Sequence, residues 1–106
     1  MSNKIRVIIC GDAAERLDAV ARMAVLCGFA RTVSDAKKIV EPGAPILSGP
    51  RYFILSATYN FRDSPYTNQR LFEMAARGMA VIVGCRSLPR EFEFLCDIHT
   101  PADLIP

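Results

Sequence analysis

The sequence lacks tryptophan, has a single histidine and contains only 8% aromatic residues. It also lacks any apolar run close to the roughly 18 residues that a membrane-spanning helix needs, so we expect a soluble protein without a membrane partner. The first four residues lead directly into a short apolar segment, without the long apolar core and cleavage site of a secretory signal. These absences favour a cytoplasmic location.

A strong excess of charge of either sign is also missing. The 13 basic and 11 acidic residues leave a net charge of +2, far from the basic balance typical of proteins that bind nucleic acid. The charge therefore argues against nucleic acid as the main partner.

The usual patterns of metal, cofactor and catalytic sites are absent as well. The four cysteines lie at positions 10, 27, 85 and 96 without a C-x-x-C pair, which favours free buried thiols over zinc or disulfides. There is no glycine-rich dinucleotide loop and no Walker sequence. The only histidine, His99, lies three residues after Cys96, and a Cys–His pair would need the fold to bring the two together. We predict no catalytic residue, no metal and no cofactor.

The chain does contain four short segments that are almost continuously apolar. They cover residues 5–10, 29–33, 52–57 and 79–83. Runs of this length and composition are typical of strands buried on both faces, as in parallel sheets.

Helical spacing of apolar residues between these segments predicts helices over residues 13–27, 35–40 and 65–77. Asp12, followed by Glu15, resembles a capping box, and Gly28 suits the position just after a helix. Ser64 and Pro65 suit the N-cap and first position of the third helix.

Three stretches remain. Residues 42–51 contain three prolines and two glycines and predict a connection without regular structure. Residues 90–96 leave two alternatives open, an antiparallel edge strand or the start of a helix. Thr100 and Pro101 predict the cap of a last short helical turn.

The alternation of strands and helices predicts one α/β domain over residues 1–106, a small Rossmann-like or flavodoxin-like three-layer domain. Its mainly parallel sheet would have four to five strands with helices on both faces. The simplest order of the four predicted strands is 2-1-3-4.

Ligands of such sheets bind beyond the carboxyl ends of the strands. Polar side chains that follow the predicted strands there give the candidate ligand-binding residues Asp12, Thr58, Asn60, Arg62, Ser64, Arg86 and Ser87. The alternative is that Asp12 and Ser64 only cap helices and that the arginines are solvated surface.

A second candidate surface consists of the apolar residues Phe92, Phe94 and Leu95. These residues have no place in a four-stranded core, so we expect a partner interface there. The alternative is that they pack as a final helix or edge strand.

Three segments resemble parts of known families. Residues 68–82, NQRLFEMAARGMAVI, resemble the donor-sugar-binding segment of glycosyltransferases built from two Rossmann-like domains, and this resemblance implies a ribose contact at Glu73. Residues 67–83 resemble a BRCT-type protein-interaction module, without the tryptophan that its last helix usually carries. Residues 28–49 are similar in spacing to the small RNA-binding domain of tyrosyl-tRNA synthetases and some ribosomal proteins. Each resemblance covers a small part of the chain, and we take none as family membership.

The leading hypothesis is a small non-enzymatic module that binds another protein as an adaptor, regulator or inhibitor, a homodimer being one such arrangement. It depends on a complete fold pattern without a recognisable catalytic set. The alternative is a phosphate- or nucleotide-binding domain, in one form a reduced glycosyltransferase-like Rossmann domain. RNA binding ranks third, because the net charge is small.

Overall fold

The computed structural model describes residues 4–40, 46–48 and 53–104. They form a five-stranded sheet in the order β2-β3-β4-β1-β5. The elements along the chain are β1 (Ile5–Ile9), α1 (Ala13–Leu26), α2 (Val33–Ile39), β2 (Ile46–Ser48), β3 (Phe53–Ser56), α3 (Pro65–Ala76), β4 (Ala80–Cys85), a first 3₁₀ helix (Arg90–Leu95), β5 (Cys96–His99) and a second 3₁₀ helix (Pro101–Leu104).

The sheet is mainly parallel, as predicted. β1 lies between β4 and β5 and pairs in parallel with both, and β3 pairs in parallel with the other side of β4. β2 is antiparallel to β3. All the parallel strands therefore end at one edge of the sheet, and their carboxyl ends meet there.

Helices cover both faces of this sheet. Alternate residues of a strand point to opposite faces, and those of β1 belong to two different core clusters. Ile8 belongs to a core cluster with Val20 of α1 and Ala36 of α2. Ile5 and Val7 belong to a second cluster that α3 covers. The predicted α/β class is confirmed, and none of the helices in the described ranges is long and apolar enough to cross a bilayer.

The strand predicted over residues 29–33 is wrong. The chain turns after α1, where Gly28 has a positive φ of 83° and the Phe29 N–H donates to the carbonyl of Ala24 at 2.9 Å. Thr32 then caps α2, so too few residues separate the two helices for a strand to return to the sheet. Phe29 and Ala30 pack against the α1 side of the core instead, which explains their apolar character.

The predicted order 2-1-3-4 is consequently also wrong. It placed residues 5–10 beside residues 52–57, whereas β4 separates β1 from β3 in the structure. In the stretch 42–51, predicted to be irregular, residues 46–48 form β2, and the other residues of that stretch lie outside the described part of the chain.

The carboxyl-terminal part combines the two alternatives left open for residues 90–96. Arg90–Leu95 form a 3₁₀ helix, and the edge strand begins at Cys96 and runs parallel to β1, not antiparallel. A crossover through the short helix makes the parallel direction possible. The last helical turn is confirmed, with the Thr100 N–H donating to Asp103 Oδ2 at 2.8 Å.

Candidate functional site

The connections that leave β1 and β4 pass to opposite faces of the sheet. β1 leads into α1, whose Val20 packs on one face, and β4 leads to the first 3₁₀ helix, whose Phe92 packs on the other. Two neighbouring strands whose connections diverge in this way leave a crevice at their carboxyl ends, where open α/β sheets bind ligands.

A cavity of about 650 Å³ lies at this end of the sheet. Its volume is within the range of about 300–1,000 Å³ found for small-molecule sites. Its walls come from α1, from the loop after β3 and from the end of β4, through Arg16, Thr58, Tyr59, Asn60, Arg62, Cys85, Arg86 and Ser87.

Arg16, in the first turns of α1, is the most buried charged residue in the wall of the cavity, with 6% of its surface exposed. Its Nε donates to the carbonyl of Ala57 at 2.6 Å, and its Nη1 donates to the carbonyl of Cys10 at 2.7 Å. These two carbonyls follow β3 and β1, so the side chain spans β4, whose Gly84 lies against its aliphatic stem. The arrangement fixes the orientation of the guanidinium plane.

Part of the Arg16 guanidinium remains available to a ligand. Within the described part of the chain, no carboxylate lies within 4.0 Å of it, because the ion pairs there join only Asp18 with Arg22 and Lys37. The two carbonyls occupy Nε and Nη1, whereas Nη2 has no hydrogen-bond partner among the described residues. No described side-chain nitrogen or oxygen is both sealed from solvent and without a partner, so Nη2 keeps contact with solvent, and Arg16 is one of the residues that line the cavity.

Two further arginines extend this positive wall. Arg62 comes from the loop after β3 and Arg86 directly follows β4; both are exposed, and neither is within ion-pair distance of a carboxylate in the described ranges. None of the lining residues is acidic. The cavity therefore favours an anion, and guanidinium groups suit phosphate and carboxylate oxygens in particular.

The loop between β3 and α3 is held by buried hydrogen bonds. The Tyr59 N–H donates to the carbonyl of Gly84 at 2.8 Å, which fastens the loop to β4. The Tyr59 hydroxyl donates to Asn68 Oδ1 at 2.7 Å, and Asn68 Nδ2 donates to the carbonyl of Phe61 at 2.7 Å. Burial raises the pKa of Tyr59 to about 12, so the phenol stays neutral and keeps its proton for Asn68.

Asn60 shapes the rim of the cavity. Its Oδ1 accepts from the Arg62 N–H at 3.0 Å, and its Nδ2 donates to Asp63 Oδ2 at 2.8 Å. The side chain thus orients the backbone at Arg62 and binds the carboxylate of Asp63, which does not line the cavity.

Cys85 is the only thiol among the lining residues, and its environment disfavours the thiolate. Burial raises its pKa to about 11, although the charge of Arg16 and the Ser87 backbone N–H act in the opposite direction. The group is therefore protonated at neutral pH and is a poor nucleophile. Within residues 4–40, 46–48 and 53–104, no group of three His, Cys, Asp or Glu side chains has a geometry that would hold a metal ion.

The structure brings five of the seven predicted ligand-binding residues together, and these are Thr58, Asn60, Arg62, Arg86 and Ser87. The other two lie outside the cavity wall. Asp12 is the N-cap of α1 and its Oδ1 accepts from the Glu15 N–H at 2.8 Å, whereas Ser64 is the N-cap of α3 without a side-chain cap bond.

Sequence reasoning did not identify Arg16, Tyr59 and Cys85 as lining residues. A pattern for Arg16 exists, because it lies four residues before Val20 and eight before Ala24 on the buried side of α1. A charged residue in an apolar helical stripe is buried in the fold, so it needs hydrogen-bond partners or an opposite charge there. No comparable pattern distinguishes Tyr59 or Cys85 from ordinary core residues.

The predicted partner interface is divided in the structure. Phe92 is partly buried and packs against the second core cluster, with its ring centroid 5.4 Å from that of Phe61 and 5.6 Å from that of Phe72. Phe94 and Leu95 are on the surface, 86% and 50% exposed.

Comparisons of the chain with protein-family models, with curated proteins and with solved structures found no match. The resemblances of residues 28–49, 67–83 and 68–82 therefore gain no support. Glu73, to which the glycosyltransferase resemblance assigned a ribose contact, is exposed on α3, within 3.4 Å of Gln69 Nε2, and does not line the cavity.

Proposed function

We propose that this chain is a small, non-enzymatic domain that binds an anionic small molecule, with a phosphate group in the cavity at the carboxyl ends of β3 and β4. The observation that carries the proposal is Arg16, a buried arginine that lines the cavity and has no carboxylate partner in the described ranges. Two carbonyls accept hydrogen bonds from its guanidinium but supply no opposite charge, and a bound anion would supply one.

The other lining residues support an anionic ligand. Arg62 and Arg86 add positive charge at the rim, and Thr58 and Ser87 add hydroxyl donors. The hydrogen bonds of Tyr59 and Asn68 hold the loop in place before a ligand arrives, and such preorganisation lowers the entropic cost of binding.

The same residues favour binding over catalysis. General acid–base catalysis works best with a group that titrates near the working pH. Among the lining side chains, the pKa of Tyr59 is about 12 and that of Cys85 about 11, and the others are arginine, threonine, asparagine and serine. None of these residue types exchanges a proton readily at neutral pH.

Titration of the protein with inorganic phosphate, followed by thermal unfolding and calorimetry, tests the proposal. We expect phosphate to raise the melting temperature, since a ligand of the folded state stabilises it. Arg62→Ala and Arg86→Ala should each weaken binding by about tenfold, the equivalent of about 1.4 kcal/mol.

Arg70→Ala is the matched control, because Arg70 is an exposed α3 arginine outside the cavity wall and its loss changes the net charge equally. The absence of any phosphate effect, or an equal loss of binding in the Arg70 variant, would contradict the proposal.

A second candidate function is protein binding through the exposed apolar residues near β5, a homodimer included. Phe94, Leu95 and Ile98 are 86%, 50% and 42% exposed. β5 is the last strand of the described sheet on that side, so its outer edge is free of a strand neighbour there.

Sedimentation equilibrium of the wild type, of Phe94→Ser and of Tyr66→Ser tests the homodimer. Tyr66 is a suitable control because it is 85% exposed on α3. Self-association that only Phe94→Ser abolishes supports the interface, whereas a monomer at all concentrations excludes the homodimer.

A further inference from the structure

We infer that the cavity selects a phosphate monoester in its doubly charged form, with an organic part that carries no positive charge, over a carboxylate or a phosphodiester. This inference rests on the proposed function, because it names the ligand class for the same cavity.

The charge of the wall favours a dianion. Arg16, Arg62 and Arg86 line the cavity, and no lining residue is acidic. A singly charged ligand leaves most of this positive charge uncompensated, whereas Coulomb attraction grows in proportion to the charge of the ligand. The buried position of Arg16 strengthens this preference, because water screens its charge less than that of an exposed arginine.

The three arginines belong to three different structural elements, and this placement favours a group with three terminal oxygens. Arg16 comes from α1, Arg62 from the loop after β3 and Arg86 from the end of β4. The two backbone carbonyls fix the Arg16 guanidinium, so this donor cannot rotate to follow a ligand. A phosphate monoester presents three terminal oxygens to such donors, whereas a carboxylate or a phosphodiester presents only two.

The size and chemistry of the cavity describe the rest of the ligand. A phosphate group fills the space of two or three water molecules, about 60–90 Å³. Most of the cavity of about 650 Å³ is left for the organic part of the ester. Since no acidic side chain lines the wall, a cationic substituent would have no partner there, and the organic part therefore carries no positive charge.

Calorimetric binding of three matched probes at pH 7.5 tests the selection. The probes are phenyl phosphate as the monoester, phenyl methyl phosphate as the diester and benzoate as the carboxylate. We expect phenyl phosphate to bind at least tenfold more tightly than either of the others. Arg62→Gln and Arg86→Gln should each reduce this preference at least threefold, and Arg70→Gln should leave it unchanged.

A second measurement at pH 5.0 tests the charge of the bound form. The second pKa of a phosphate monoester is about 6, so only about a tenth of the ligand is a dianion at pH 5.0, and its affinity should fall about tenfold. Inorganic sulfate is the control for titration of protein groups outside the wall, including Asp12, Glu15, Asp63 and His99, because it stays doubly charged at both pH values.

The outcomes separate the two proposals. The selection of a dianionic monoester is wrong if phenyl phosphate binds no better than benzoate or the diester, or if it binds equally well at both pH values. It is also wrong if the affinity for sulfate falls in parallel at pH 5.0. In each of these cases anion binding stands. If none of the probes binds, the proposed function itself fails.

Discussion

The aliphatic stem of Arg16 lies directly against the backbone of Gly84, near the carboxyl end of β4, the middle strand of the sheet. A β-carbon on Gly84 would lie 2.7 Å from Cγ of Arg16 and 2.9 Å from Cγ2 of Val20. Packed carbon atoms normally approach to about 3.5–4.0 Å. Gly84 does not have a positive φ, so the position requires glycine for space and not for backbone conformation. The missing side chain allows α1 to place a guanidinium over β4.

Gly84→Ala should therefore damage both the fold and the cavity. The added methyl must displace Arg16 and Val20, and we expect the free energy of unfolding to fall by about 1–3 kcal/mol. Because the Arg16 guanidinium moves with its stem, phosphate should no longer stabilise the protein. Urea unfolding with and without phosphate measures both effects.

Gly11→Ala is the control for this substitution, since nothing lies within 4 Å of a β-carbon at Gly11. We expect a change within about 0.5 kcal/mol and unaltered stabilisation by phosphate. Equal behaviour of the two alanine variants would show that the Arg16–Gly84 contact is not required.

The second prediction concerns the buried hydrogen bonds of Asn68. Asn68→Ala leaves the Tyr59 hydroxyl and the Phe61 carbonyl without their partner, and we expect a loss of about 2–3 kcal/mol in urea unfolding. Tyr59→Phe removes one of the two bonds and should cost about 1 kcal/mol. The double variant should cost less than the sum, because both single changes disrupt the same bond.

The neighbouring Gln69→Ala is the control, because Gln69 is exposed and its side chain makes, within the part of the chain that the structure describes, only a long bond to Glu73. If Asn68→Ala costs no more than Gln69→Ala, the loop after β3 is held by other contacts.

A third prediction separates two phenylalanines of the same 3₁₀ helix. Phe92 stacks on Phe72 and is partly buried, so Phe92→Ala should cost about 2–3 kcal/mol, somewhat less than for a fully buried ring. Phe94 is 86% exposed, and Phe94→Ala should change the stability by less than about 0.5 kcal/mol. Thermal and urea unfolding of the two variants check this, and similar losses would contradict the packing of Phe92.

The sequence predicted the elements whose local patterns are unambiguous. Asp12 and Gly28 mark the ends of α1, Pro65 marks the start of α3, and β1, β3 and β4 were found as apolar runs. The strand prediction for residues 29–33 was wrong because an apolar run of this length also arises where a turn packs against a pair of helices. The strand order depends on contacts distant in sequence, and a pattern within one segment carries no information about them.

The candidate site was predicted only in part, because some of its contacts also join residues that are distant in the sequence. Thr58 and Arg62 lie in the loop after β3 and Arg86 directly follows β4, so the rule that ligands bind at strand ends was sufficient to identify them. Arg16 reaches the cavity only because Gly84 lies beneath it, and the two are far apart in the sequence. Their contact is a property of the tertiary structure, which single-sequence patterns do not reveal.

The last prediction is a loss of stability at alkaline pH, to which two buried thiols contribute. Burial raises the pKa of Cys85 to about 11 and that of Cys96 to about 12, from the ordinary value of 9.0. Above pH 9 the unfolded chain loses these protons while the folded chain retains them, so the folded state binds more protons and its stability falls as the pH rises. Below pH 9 this contribution is fully present.

We expect the free energy of unfolding to fall by up to about 1.4 kcal/mol per pH unit for each thiol between pH 9 and 11. Cys85→Ala and Cys96→Ala should each reduce this slope, whatever they cost at pH 7. Ala75→Gly, in the buried part of α3, is the control, because it destabilises by about 1 kcal/mol without removing a titrating group and should keep the wild-type slope. Urea unfolding at pH 7 to 11 gives the slopes, and identical slopes in all four proteins would rule out the thiols as the cause.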